Sequence, residues 1–415
     1  MTGTPKGLYQ ERLRRVEDAI GLKVPDRVPF YPHAHFLATT YVGLTATEAF
    51  YQNKKWLEAN KKMIRDLEPD LYSIHAYPGH AFEALDCKQM KWPGHGGPAD
   101  SSYQFVEGEY MKADEYDAFL HDPSDFLLRA YLPRVFGTLE PLQKLPPIQA
   151  LFIQGYKGAL TSSVFADPRI HAALESLHQA GLEAMKYQAE MAAAEKELED
   201  LGFPKAFGGP NMYAPFDLVS DMLRGMRGTM LDMYRQPDKL LETMERIFPV
   251  YVKNGVASAQ NSGNPRVFIP LHRGAEGFMS LKQFETFYWP GLKKLLLTFI
   301  DEGLTPCPFL EGDYTSRLEY FSDLPRGKML LFLDATDIFK AKDILGQTAC
   351  FAGNVPLSLL QTGTPEQIKE YTKKLIDVVG KGGGLIVSSR GALDDANPKL
   401  VKTWAEFTRE YGVYR

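Results

Sequence analysis

Glu311 and Asp313 flank Gly312 where an apolar run ends, "PCPFLEGDYTSR" over residues 306–317. Two carboxylates at a glycine turn can move a proton, ligate a metal, or face water with Arg317 as a surface partner worth ~0–1 kcal/mol. His272 ends a similar run, "RVFIPLHRGAEG", with Arg273 beside it to clamp an anionic group or to pair with Glu276. His33 and His35 end a third, "VPFYPHAH", where residues i and i+2 share one face of a strand, and His75 ends a fourth. Glu311, His272, His33 and His35 therefore make a candidate ligand set for a hard or borderline metal ion; without a metal, Glu311 and His272 can exchange a proton.

Three further groups belong with these. Asp334 and Asp337 close "KMLLFLDATD". Asp334 is expected at the site, orienting Glu311 and His272, and Asp337 at the N-cap of the helix that follows. Asn354, after Gly353, is a candidate hydrogen-bond partner for substrate. Tyr213 and Phe216, with Met212, lie in "GGPNMYAPFD" and offer an apolar wall better suited to a neutral or aromatic ligand than to a polyanion.

Every one of these residues sits at the end of a short apolar run. Such runs recur at 28–34, 69–75, 206–211, 266–272, 304–310, 328–334, 348–353 and 383–388, each followed by a turn and most by a helical pattern. Eight strands alternating with helices predict one (β/α)8 TIM barrel over residues 1–415, whose strand C-termini face the active site. Capping boxes are expected at Thr45/Glu48, Ser280/Gln283 and Thr364/Gln367, the last with Pro365 at N1. Residues 76–200 interrupt the alternation as an enlarged helical and loop insertion at the active-site face. Its turn-rich part, 76–165, is expected to be a lid or a docking surface. Its helical part, 168–200, opens at Asp167-Pro168 and repeats Leu174, Leu177, Leu182 and Met185 at helical spacing.

Composition removes several functions. Lysine and arginine total 47 against 52 aspartates and glutamates, a net charge of −5 with no long basic run, so nucleic acid is not an expected partner. Cys87, Cys307 and Cys350 are too few and too scattered for a disulfide framework or a Cys-x-x-Cys site, which suits a reducing cytoplasm. The polar start and the lack of a long apolar stretch predict neither export nor a membrane span. No nucleotide-binding glycine motif is present.

The C-terminal half carries the series "PLHRGAEGFMSLKQFETFYWPGLKKLL", "CPFLEGDY", "FLDATDIFKAKDILGQTACFAGNVPLSLLQTGTPEQIKEYTKKLI" and "GGGLIVSSRGALDDANPKLVKTW". It resembles the uroporphyrinogen decarboxylase superfamily, most clearly from Gly353 to Ile368. The resemblance implies the barrel, and either a porphyrinogen decarboxylase or a methyltransferase working with a corrinoid or thiol acceptor. The decarboxylases grip their substrate with an Arg-Gln-Ala-Gly-Arg motif; the matching stretch here, "FYPHAHFLATTYVGL", has no arginine. A polycarboxylate needs such arginine forks to offset its desolvation. The thiol-methylating members resemble zinc enzymes with His-x-Cys after the fifth strand, where this chain has Phe309-Leu310-Glu311 and only Cys307 nearby. There remains the corrinoid-linked branch, some of whose members bind zinc through carboxylates and histidine; zinc is thus the metal that the resemblance implies, with Glu311 standing where a sulfur ligand would be.

The resemblance thus implies transfer of a methyl group between a small methylated substrate, methoxylated compounds included, and a corrinoid on a separate protein. His272, Glu311 and Asp334 would be catalytic, and Tyr213, Phe216, Arg273 and Asn354 would hold the substrate. The alternatives are a cofactor-independent decarboxylase of a small acid, with Arg273 or Arg390 as anion clamp, and a non-catalytic barrel binding a tetrapyrrole or corrinoid. A homodimer is among the assemblies the sequence allows.

Overall fold

Side chains of a strand alternate between its two faces, and that alternation places the site. In the computed structural model, which describes residues 4–414, the strands are β1 (Phe30–Tyr31), β2 (Met90–Pro93), β3 (Gly96–Gly97), β4 (Gln104–Phe105), β5 (Arg266–Leu271), β6 (Thr305–Leu310), β7 (Leu330–Leu333), β8 (Cys350–Val355) and β9 (Leu385–Ser389). Six form one sheet in the order β1-β9-β8-β7-β6-β5, parallel at every junction.

Two irregular segments complete the ring. The Asp70 N–H donates to the Phe30 carbonyl at 2.8 Å, and Tyr72 N–H to Pro204 at 3.2 Å; Ala206 N–H returns to Tyr72 at 2.7 Å. Gly208 and Met212 then donate to the Arg266 and Phe268 carbonyls of β5, at 2.7 and 2.9 Å. The runs at 69–75 and 206–211 thus stand second and third in an eight-membered barrel, as expected. They fall short of regular strands because Pro69, Pro204 and Pro210 have no N–H to give a ladder.

One face of the strands fills the barrel. Tyr31, Cys307, Phe309, Leu330, Phe332, Cys350, Ala352 and Ile386 form an inner cluster joined by Phe207 and Phe268. The alternate residues, among them Phe30, Ile269, Leu310, Leu331, Phe351 and Val387, point outward into a larger core shared with the helices. All three expected capping boxes form, and Asp337 caps the helix Ile338–Leu345 through the Phe339 and Lys340 amides.

The N-terminal helix Pro5–Ile20 is locked to the barrel by charge. Asp70, fully buried, accepts from Arg15 at 2.6 Å, from both terminal nitrogens of Arg27 at 2.8 Å and from the Phe30 amide at 2.8 Å. Every oxygen of this carboxylate is therefore used.

The insertion comprises the three-stranded sheet β3-β2-β4, several short helical turns and the helix Pro168–Asp200, whose bounds coincide with the expected segment. The face of that helix that packs is not the expected one. Leu174, Leu177, Leu182 and Met185 are exposed, Met185 at 67%, whereas Ile170, Ala173, Ala180, Tyr187, Ala194 and Leu198 are buried. Three of those six are alanines, whose small side chains let a helix lie close to its neighbours, so spacing alone pointed to the wrong stripe.

Candidate active site

The inward alternation continues past the strand ends. Tyr31 is followed two residues on by His33, Phe268 by Pro270 and His272, and Phe309 by Glu311; all of these but Tyr31 line one cavity of about 540 Å³ at the barrel mouth. Its floor is aromatic, with the Phe268 and Phe309 rings stacked 6.1 Å apart. The insertion contributes Tyr103 and Phe105, and the loop before the helix Pro215–Leu218 contributes Asn211 and Tyr213.

One wall carries charge. His272 Nδ1 lies 2.5 Å from Asp221 Oδ2, and its Nε2 lies 3.7 Å from Glu311 Oε1. The buried Asp217 fixes the turn beneath, accepting from the His272 and Arg273 amides at 3.1 and 3.0 Å and from the Tyr288 hydroxyl at 2.5 Å. Burial alone would lower the pKa of His272, but the bond to Asp221 and the charges of Asp217, Glu311 and Asp221 outweigh it and raise it to about 9. The imidazole is therefore a cation at neutral pH, with its Nε2–H directed toward Glu311. Burial raises Glu311 above the usual carboxylate range; His272 opposes that shift and Asp334 adds to it. Burial likewise raises Asp217 to about 7, against the pull of His272.

Among the described residues Arg273 is the only lysine or arginine lining the cavity, and it is already occupied: it pairs with Glu107 of the insertion and, at 3.0 Å, with Asp221. Glu276, its expected partner, instead accepts from the Ser316 amide.

The opposite wall is a group of histidines. His35 is held at both ring nitrogens, by Asp394 at 2.5 Å and by the Tyr77 hydroxyl at 2.9 Å. His33 and His75 stack at 6.0 Å between ring centroids, and neither ring makes a hydrogen bond among the described residues. Burial lowers His33 to about 4 and His75 well below the usual histidine value, in both cases with help from His35. These two imidazoles are neutral.

Several expected residues are placed differently. Asp334 is not in the cavity wall; its Oδ2 accepts from the Gly312 amide at 2.9 Å, so it positions the turn that carries Glu311. Asp313 binds the Thr315 amide and hydroxyl, and Arg317 donates to the Met279 carbonyl rather than to either carboxylate of the turn. Phe216 is 1% exposed and packs on Tyr288 behind the wall, because the proline-led helix turns it toward the outer core. Asn354 is buried with its amide committed to the Asp334 and Thr336 carbonyls and to the Tyr371 hydroxyl. Asn354→Ala is accordingly expected to cost about 1–3 kcal/mol of stability, read from the denaturant midpoint, and to leave ligand affinity unchanged by calorimetry. A loss of affinity at unchanged stability would restore it to the site.

The suggested ligand set Glu311, His272, His33 and His35 does not converge. Among the described residues no three or more histidine, cysteine or acidic side chains are grouped to hold a metal ion. The nitrogens explain this: His35 has none free, and His272 has committed Nδ1 to Asp221. Zinc does not fit the donor set as arranged.

Sequence reasoning passed over Asp217, Asp221, Tyr103, Phe105, Asn211 and Glu107. Asp217 and Asp221 were within reach, since four residues apart on a helix places two carboxylates on one face. Tyr103, Phe105 and Glu107 carry no comparable signal, as their approach depends on how the insertion folds back.

Residues 209–411 match the family model described as uroporphyrinogen decarboxylase (URO-D). Uroporphyrinogen decarboxylases of Chlorobium phaeovibrioides and Chlorobium luteolum are each 36% identical over 78 residues, 18% of this chain and 22% of the relative, so the match spans about a fifth of the length of these curated proteins. A methyltransferase from Methanosarcina mazei superposes with a TM-score of 0.60 over 96% of this chain and 98% of its own, at 15% identity, a likeness of fold. Among the described residues no helix is long and apolar enough to cross a membrane. The family match takes in just under half of the chain and includes the strands that carry His272, Glu311 and Asp334, so this part of the chain is similar to uroporphyrinogen decarboxylases.

Proposed function

We propose that the protein is an enzyme of the methyltransferase type, moving a methyl group from a small methylated substrate, methoxylated compounds included, to a corrinoid carried by a separate protein. The observation that carries this reading is the pairing of a cationic His272 and a protonatable Glu311 over an aromatic floor, with Arg273 already engaged by two carboxylates. A methyl group on oxygen or nitrogen leaves poorly unless the heteroatom is protonated. His272 Nε2–H supplies that proton, which leaves with the product; Asp221 holds the ring as an imidazolium, and once product has left Glu311 passes a proton from water back to His272. Phe268, Phe309 and Tyr213 hold the organic part of the substrate. The corrinoid, when bound, supplies the nucleophile that takes the methyl group.

The insertion supports the same reading. It brings Tyr103, Phe105 and Glu107 to the mouth, so it forms the surface past which a corrinoid protein must reach the substrate. A cytoplasmic location suits the two cysteines buried as free thiols in the barrel. The structural neighbour's designation as a methyltransferase agrees, as an analogy of fold.

The alternative, decarboxylation of a small acid, needs a free cation for the carboxylate, and Arg390 is not in the cavity wall. Product analysis separates the two. Incubation with a methoxylated arene should release the demethylated product by mass spectrometry only when reduced cobalamin is added. Carbon dioxide released from an aromatic carboxylic acid without any cofactor would instead establish the decarboxylase, and no turnover of either would leave a binding barrel.

A further inference from the structure

The two walls of the cavity differ in kind, and only one of them serves the chemistry above. Opposite the charged wall, His33 and His75 present imidazoles whose ring nitrogens make no hydrogen bond among the described residues. They are fixed all the same. His33 packs edge-on to Phe309 at 5.8 Å and to Phe268 at 6.3 Å. His75 lies 4.4 Å from His35, which Asp394 and Tyr77 clamp at both nitrogens. Polar groups held rigidly at a cavity surface without protein partners await either water or a ligand.

The geometry points to His33 and His75 as a specificity pair that recognises an uncharged hydroxyl on the substrate, at the end away from the methylated heteroatom. A neutral imidazole offers one donor and one acceptor, and a hydroxyl offers both in return. It can donate to one ring and accept from the other, a bridge suited to two rings inclined by only 25°. A carboxylate offers acceptors alone and finds no free cation at this wall among the described residues: Arg273 is tied to Glu107 and Asp221, the His272 imidazolium stands on the opposite wall between Asp221 and Glu311, and the carboxylate of Asp394 lies behind His35. With Phe268 and Phe309 between the two walls, the implied ligand is a flat arene carrying a methylated heteroatom at one end and a hydroxyl at the other. This deepens the methyl-transfer reading and rests on it for the first of those two groups only.

Calorimetric titration of the full chain with 4-methoxyphenol, methoxybenzene and 4-methoxybenzoate tests the pair, with His33→Phe and His75→Phe beside the wild type and melting curves to establish that each variant folds. The wild type should bind 4-methoxyphenol at least about tenfold more tightly than methoxybenzene and exclude the benzoate. In either variant that preference should collapse to within about threefold while methoxybenzene binds as before. Equal affinity for phenol and ether in the wild type, tightest binding of the benzoate, a folded variant that loses both ligands alike, or no binding of any probe would each overturn the assignment. The two readings fail separately: a hydroxyl preference without demethylation counts against methyl transfer alone, whereas demethylation of both ethers with equal kcat/KM counts against the histidine pair alone.

Discussion

His272→Gln is expected to lower single-turnover methyl transfer by about 10²–10⁴-fold, the range over which a positioned general acid contributes. Glutamine keeps the approximate size and a hydrogen bond to Asp221 but cannot deliver a proton. The wild-type rate should be level through neutral pH and fall as pH rises through about 9, because the protonated form of His272 is the active one and its proton is lost there. Asp221→Asn removes the hydrogen-bonded carboxylate that raises His272. The alkaline limb should therefore move to lower pH, with a smaller loss of maximal rate than in His272→Gln. A variant that lost activity through misfolding would lower the whole profile without moving its limb.

The second large effect is on stability. Asp70→Ala leaves Arg15 and Arg27 buried or nearly so without the carboxylate that both address, and strips the Phe30 amide of its acceptor. Breaking a buried, fully hydrogen-bonded pair by removing one partner costs about 3–5 kcal/mol, because the stranded charge cannot recover its hydration. Urea unfolding should show a shift of that size. The cavity lies at the other end of the barrel strands, so any variant that remains folded should keep its ligand affinity. A shift below 1 kcal/mol would mean that Arg15 is satisfied well enough by Glu11 and Asp26, its remaining partners.

The barrel was legible because its signals are local. Apolar runs end at turns, hydroxyl and acidic caps open helices, and period-two alternation carries His33, His272 and Glu311 inward from their strands. His272 and Glu311 do meet, as their placement at adjacent strand ends implied. What sequence could not give was the division of labour among polar groups. Asn354 looks like a substrate ligand on the chain and Asp334 like a carboxylate orienting both Glu311 and His272, yet one fastens two carbonyls and a tyrosine and the other holds the amide of Gly312. His33 and His35, two residues apart, received one reading as metal ligands and have different roles, because Asp394 and Tyr77 reach only His35. The long helix failed in a similar way: its leucines repeat at helical spacing, but close packing selected the alanine side. In each case the deciding partner is distant in the chain.

The most direct test of the central claim, a cationic His272 acting as the acid in methyl transfer, is the pH dependence of the single-turnover rate. It would follow transfer of a labelled methyl group from 4-methoxyphenol to reduced cobalamin, in the wild type and in His272→Gln. The account predicts a wild-type rate that is constant up to about pH 9 and declines above it, and a slow variant with no such limb. A wild-type rate that rises through that range, or a variant retaining both the rate and the limb, would contradict it.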